Sequence, residues 1–377
     1  MWDHMKLAVQ HEESFAGGKH RLYKMGKGGG DWGDEMTPLM RATESTLVTA
    51  DVAELYPRLA ELADRRGDAP FASMLRARAL DAKEAVRRQW VKRGWYSRAY
   101  VGDEQKGVGL ITEEPRPIAI LAGIPTAQQA ELLVHNIRRF LSGIDAPHQV
   151  HGPSLIGSTL GPSAIDPDVH EIWRYPNYNQ IGDNNAYEFG GVWAFLNFQI
   201  VEAFASLSGT VPHVEDYAWD EFLRNTLARH AEAFPTYWTG ITTGDVYYNY
   251  YSSKPGKTGV GAGGGAGTFC DALIRLMGLE PTVTGYRITP VIPLQRASLE
   301  LSSFGLTLEH GAIRGYVRPL EPGDLAMDVK VPAGAGHAVR TLVDGVAVNN
   351  IVGQGRVVFK ISVQGVNEKH DWAVVAL

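Results

Sequence analysis

Gly28-Gly29-Gly30-Asp31-Trp32-Gly33-Asp34-Glu35-Met36 is the stretch on which the reading of this chain turns. Three glycines in a row let the backbone bend where side chains would forbid it, and two carboxylates then flank one indole. A carboxyl held near an indole and near a second carboxylate has two reasons to keep its proton, desolvation and like charge. The same residues also suit a glycine-rich turn in which Asp31 caps a helix containing Met36 to Met40. Periodicity alone leaves both readings open.

Working outward, Trp2, Met5, Leu7 and Val9 already read as helix with no capping residue before them, which suggests a chain that begins inside a larger parent. Apolar residues three or four apart then predict helices over Leu47 to Arg66, Phe71 to Val91, Ala127 to Leu141, Tyr187 to Leu207, Ala218 to Phe234 and Gly267 to Met277. In the first of these the stripe is read from Leu55, Leu59, Leu62 and Ala63. Long connectors rich in Gly, Pro, Asn and Tyr separate them: Lys24 to Pro38, Ala146 to Asn185 and Pro235 to Ala266. Connectors of that length are usually functional. From Pro281 the period becomes two, as in Tyr286-Arg287-Ile288-Thr289, Leu299-Glu300-Leu301 and Arg356-Val357-Val358-Phe359-Lys360-Ile361, and Arg340 to Ile351 reads as a hairpin around Asp344-Gly345. The expected organisation is a helical domain over residues 1–280 and a β-sandwich over residues 281–377.

With 377 residues and 44% hydrophobic composition, the chain can bury a large core. A net charge of −6 with scattered Lys and Arg argues against nucleic acid as a partner. No apolar run is long enough to span a membrane, and the first segment lacks the order of a secretory signal. The single cysteine, Cys270, excludes an internal disulfide and a cysteine-based zinc site, so a cytoplasmic location is the expectation. Twelve histidines form no His-Glu-x-x-His pattern, and neither a metal nor a cofactor is expected.

Gly28 to Met36 resembles, in spacing and identity, the signature of the inverting glycoside phosphorylase family that contains cellobiose and chitobiose phosphorylases, a glycine run followed by Asp-Trp-Asn-Asp-Gly-Met. Further pieces fall in the family's order: Trp2-Asp3-His4-Met5-Lys6, Trp95-Tyr96-Ser97-Arg98-Ala99-Tyr100, Ile118-Ala119-Ile120-Leu121-Ala122-Gly123, Val192-Trp193-Ala194 and Tyr286-Arg287-Ile288-Thr289-Pro290-Val291-Ile292-Pro293. The resemblance spans nearly the whole chain. It implies the second half of an α/α toroid of the six-hairpin type, followed by the family's C-terminal β-sandwich. It also implies Asp34 as general acid, with Asp31 and Trp32 shaping the subsites beside the scissile bond. A toroid lacking its first helices would expose an apolar flank, which predicts self-association or a partner chain that supplies the rest.

The chain departs from the family where phosphate is held. Aligning on Val192-Trp193-Ala194 puts Glu188 and Phe189 at or beside the family's Thr-His pair, and the family's Thr-Gly-Ser turn is replaced by Gly261-Ala262-Gly263-Gly264-Gly265-Ala266-Gly267. A carboxylate repels phosphate but suits a base that activates water opposite the acid. The expected reaction is therefore inverting hydrolysis of an oligosaccharide or glycoside, with Glu188 as base. Glu188 equally suits the first turn of a helix, where its charge meets the helix dipole. Glu113 and Glu114, before Pro115-Arg116-Pro117, and Asp245 are rival bases, each read as lying in a polar loop.

Sugar faces stack on aromatics while their hydroxyls seek planar polar groups. That chemistry singles out Trp173, Arg174, Tyr178 and Gln180, then Asn184 and Tyr187, then Trp238 and Asp245, although each aromatic also suits a rigid loop plug. The run Gly259 to Gly267 is a weak nucleotide-loop signal, because no strand is predicted before it and no Lys-Ser or Lys-Thr ends it. A phosphorylase with an altered anion site and a non-catalytic carbohydrate-binding remnant are the alternative readings.

Overall fold

The computed structural model describes residues 1–26, 41–109, 111–144, 155–156, 194–224, 226, 245–248, 255–259, 264–332 and 338–377. They divide into two compact units, Met1–Phe269 and Cys270–Leu377. The chain mixes helices with several β-sheets. No helix among the described residues is long and apolar enough to cross a membrane.

The first unit opens with α1 (Trp2–Glu13), β1 (Tyr23–Lys24) and β2 (Glu44–Ser45), then the long pair α2 (Thr46–Arg65) and α3 (Ala69–Arg87). Ser45 starts α2 by accepting from the Val48 N–H, and Asp68 starts α3 by accepting from Phe71, each satisfying one of the donors a helix leaves open at its first turn. The facing surfaces are small: Ala50, Ala53, Ala60 and Ala63 on α2 meet a helix that buries Ala72, Ala79 and Ala82. The buried stripe of α2 therefore runs through Val52, Ala53, Tyr56, Ala60 and Ala63, one step round from the stripe expected, and Leu55 is exposed. Leu7 is likewise exposed on α1, whose buried contact is Val9.

Helix α3 stops short of the expected Val91, because Trp90–Val91 (β3) turns back on Trp95–Tyr96 (β4) through Gly94, whose φ of 99° glycine tolerates best. β5 (Ala99–Val101) and β6 (Glu104–Lys106) complete a sheet in the order β1-β2-β5-β6. Next come α4 (Arg116–Leu121) and α5 (Ala127–Asn136), the latter begun by a Thr126–Gln129 capping box and continued by a π-helical turn, Ile137–Leu141. β7 (Ser142–Ile144) pairs with β8 (Leu155–Ile156). α6 (Ala194–Ser206) and α7 (Val214–Arg224) follow, and α7 starts before the expected Ala218. Helix α4 packs against both α2 and α6, and α6 against α7.

The connector expected over Pro235 to Ala266 contains β9 (Asp245–Tyr248) antiparallel to β10 (Pro255–Gly259), and α8 (Gly264–Leu276) begins inside it. A strand does precede the glycine run, but its partner is antiparallel, so it forms no parallel βαβ unit of the nucleotide-binding kind.

The second unit takes in the end of α8 because Leu273 and Ile274 pack on its core. One sheet comprises β11 (Leu279–Thr282), β12 (Gly285–Ile288), β16 (Gly323–Lys330), β20 (Arg356–Val363) and β19 (Ile351–Gly353), in that order. The other runs β13 (Ala297–Glu300), β14 (Phe304–Glu309), β15 (Ala312–Val317), β21 (His370–Ala376), β17 (Val339–Val343) and β18 (Val346–Ala347). One buried cluster draws on both: Met327, Val329, Val357, Phe359 and Ile361 from the first, Leu306, Trp372 and Val374 from the second. Strand β20 alternates as its sequence predicts, with Val357, Phe359, Ile361 and Val363 buried. The hairpin turn stands at Asp344 (φ 50°) and Gly345 (φ 79°), the left-handed pair that matches strand twist.

Candidate active site

Three acid-bearing segments lead into three neighbouring helices. The span that contains Asp31 and Asp34 precedes β2 and α2, Glu113 and Glu114 stand immediately before α4, and Glu188 precedes α6. Because α4 packs on both α2 and α6, these three helices belong to one packed group. Asp31, Trp32, Asp34, Trp173, Arg174, Tyr178, Gln180, Asn184, Tyr187, Glu188 and Trp238 lie outside the described residues. Asp245 opens strand β9, its backbone opposite Gly259, and so stands in a strand rather than in the polar loop expected of it.

Glu113 and Glu114 depart from expectation more sharply. Both are buried, Glu113 with no exposure at all. Around them are other buried ions: Arg98, between β4 and β5, Arg116, which opens α4, and Glu221 on α7. Arg98 Nε lies 3.9 Å from Glu114 Oε2, and Arg224 Nη1 lies 3.7 Å from Glu221 Oε2. Local hydrogen bonds fix the segment: Thr112 Oγ1 donates to Glu114 O at 2.8 Å, the Arg116 guanidinium reaches Thr112 Oγ1 at 3.4 Å, and the Arg116 N–H donates to Glu113 O at 3.2 Å. The backbone of Arg98 is held in turn, donating to Lys106 O and accepting from the Thr46 N–H at the start of α2.

Among the described residues the Glu113 carboxyl finds no hydrogen-bond partner. Burial pushes its pKa well above the usual carboxylate range, Glu114 and Glu221 push it further, and Arg116 only partly opposes them. Burial also draws the Arg116 guanidinium down to about 9, against the pull of Glu114 and Glu113, which leaves it charged at neutral pH. Glu113 therefore holds its proton more tightly than an ordinary carboxylic acid does. A base that activates water must touch that water, and Glu113, with no exposed surface, stands in the interior rather than in the polar loop expected of it.

Sequence reasoning named Glu113 and Glu114 but as loop residues, and missed Arg98, Arg116, Glu221 and Glu44 as buried ions. The available signal was Thr-Glu-Glu-Pro-Arg-Pro running straight into the apolar Ile118-Ala119-Ile120-Leu121. Charges that abut an apolar helix start must either face water or pair. Among the described residues no group of three His, Cys, Asp or Glu side chains is placed to hold a metal ion.

Residues 1–165 match the model of the Glycosyl hydrolase 94 superfamily, catalytic domain, so the resemblance read from Gly28 to Met36 holds over that stretch. No curated relative matches the chain. Among solved structures, a protein described as a sialidase is similar in fold over 83% of this chain and 27% of its own length, with a TM-score of 0.52 and 15% identity. An α-L-rhamnosidase from Dictyoglumus thermophilum is matched over 86% of this chain and 31% of its own, with a TM-score of 0.45 and 10% identity. The chain spans less than a third of either protein.

Proposed function

We propose that this chain is the catalytic portion of a carbohydrate-active enzyme, an inverting glycoside hydrolase acting on an oligosaccharide or glycoside. Residues 1–280 then form the second half of an α/α toroid in which α2, α4 and α6 are inner helices, and residues 281–377 form the C-terminal β-sandwich. Asp34 is the general acid, Glu188 activates water from the opposite face, and Asp31 and Trp32 shape the neighbouring subsites. Trp173, Arg174, Tyr178, Gln180, Asn184, Tyr187 and Trp238 supply stacking faces and planar hydrogen bonds, and Asp245 adds a carboxylate from β9.

The observation that carries this reading is the family match over residues 1–165, which contains Gly28 to Met36. The packing of α4 on both α2 and α6 supports it, because it draws the helices that follow all three acid segments into one group. Phosphorolysis is the second reading, and the same family match favours it.

Sugar release from α- and β-linked gluco-oligosaccharides, with and without phosphate, tests both readings beside Asp34→Asn. Release that needs no phosphate and disappears in Asp34→Asn is the expected result. Release only with phosphate replaces hydrolysis by phosphorolysis, and equal activity in Asp34→Asn removes Asp34 as the acid.

A further inference from the structure

The span that carries Asp31 and Asp34 is tied at its base. Strand β1 sets Tyr23 opposite Ser45 and Lys24 opposite Glu44 of β2, and the Met25 N–H then donates to Thr43 O at 2.9 Å. On the outgoing side, Thr43 N donates to Tyr100 O at 2.7 Å, and Ser45 starts α2. The residues that flank positions 27–40 in sequence are therefore joined through one short ladder.

Glu44 stands at that ladder and is 3% exposed. Its carboxylate accepts from the His20 N–H at 2.9 Å and the Leu22 N–H at 3.2 Å, and His20 Nδ1 lies 3.0 Å from Oε1. The His20 ring lies flat on Tyr100 of β5, centroids 3.6 Å apart and planes 6° from parallel. Gly18 has no side chain where the carboxylate approaches, since a Cβ there would overlap it. Arg21, at a φ of 70°, makes the bend between the two backbone donors, those of His20 and Leu22. The bonds named here come from the residues that precede the span, and they link those residues to the strand that follows it. Burying an ionised carboxylate costs several kcal/mol unless its lone pairs are met. An apolar side chain would fill the space at less cost but would tie nothing across the ladder.

We propose that Glu44 is a positioning residue for the acid-bearing span, fixing its incoming strand against its outgoing strand through His20 and Leu22 and so setting where Asp34 stands. The inference rests on Asp34 being the acid. The role belongs to the hydrogen bonds, and the His20–Tyr100 stack aims the ring donor.

Kinetics of the full chain on the oligosaccharide that the wild type cleaves, with amide exchange at Lys24 and Met25, test it. Glu44→Gln keeps the volume but turns an amide towards N–H donors. It is expected to lower kcat about tenfold or more with KM within about twofold, as a displaced catalytic group does. His20→Asn can donate from a similar place and is expected to stay within about threefold of wild type, whereas His20→Phe keeps a ring on Tyr100 without the donor and is expected to fall with Glu44→Gln. An unchanged kcat in Glu44→Gln, where Asp34→Asn is inactive, overturns the positioning role and leaves the acid assignment standing. Loss in His20→Asn equal to that in His20→Phe overturns the donor role. If wild type is silent or Asp34→Asn is equally active, the reading of Asp34 fails instead. Exchange then decides alone: faster exchange at Met25 in Glu44→Gln sustains the tie, and unchanged exchange removes it.

Discussion

The two units bury different chemistry. In Cys270–Leu377 the shared core is apolar, and the buried polar residues described there are Thr341 and His370. In Met1–Phe269 the buried set includes Glu44, Arg98, Glu113, Glu114, Arg116 and Glu221. Apolar burial at roughly 25 cal/mol per Å² is enough to explain a β unit of the first kind. Ions below the surface cost several kcal/mol each before pairing returns any of it, and apolar residues of similar volume often do as well or better. The contrast shows that the second unit is read sufficiently as packing, while the first carries charge whose reason must be sought in its chemistry.

The contrast breaks first at Arg98. Arg98→Met should destabilise the chain by about 3–5 kcal/mol, since Glu114 would stay buried with one of its two neighbouring guanidinium groups gone. Chemical denaturation measures this, and a loss below about 1 kcal/mol would mean the cluster is no more costly than ordinary packing.

Glu113→Gln sharpens the contrast through pH. The folded pKa of Glu113 lies above its unfolded value, so the native state holds a proton that the unfolded chain releases. Stability from this group is greatest below the ordinary carboxylate range and falls as pH rises towards the elevated folded value. Glu113→Gln lacks that decline and should gain on wild type by up to about 1.4 kcal/mol for each pH unit within the window. Unfolding midpoints from about pH 5 to about pH 7 would show diverging curves; parallel curves would mean that Glu113 is ionised in the fold.

The smallest effect belongs to the β unit. Gly345→Ala places a methyl group in open space, so its cost is the left-handed backbone alone, about 1 kcal/mol. Thermal unfolding would register a small shift, and a loss several times larger would show that the turn does more than join β17 to β18.

The same division governs what could be read in advance. Strand β20 and the Asp344-Gly345 hairpin were legible because period and turn chemistry are local properties. Helix α2 was legible in extent, but its buried stripe was not, because a face lined with alanine was chosen by the close approach of α3 over the larger Leu55. The pair β9 and β10 was missed because Asp245-Val246-Tyr247-Tyr248 and Pro255-Gly256-Lys257-Thr258-Gly259 show no alternation, only mutual pairing. The motif around Asp34 was legible as a string of residue types. The burial of Glu44 and Glu113 was not, since nothing in Thr43-Glu44-Ser45 or Glu113-Glu114 marks a carboxylate as interior until distant backbone and guanidinium groups close over it.

The ladder joining Tyr23–Lys24 to Glu44–Ser45 also sets the two ends of the intervening sequence side by side. Its two attachment points are held by the scaffold, so a graft of different length would meet the same docking frame. Each doubling of such an insert would add only about 0.6 kcal/mol of closure entropy.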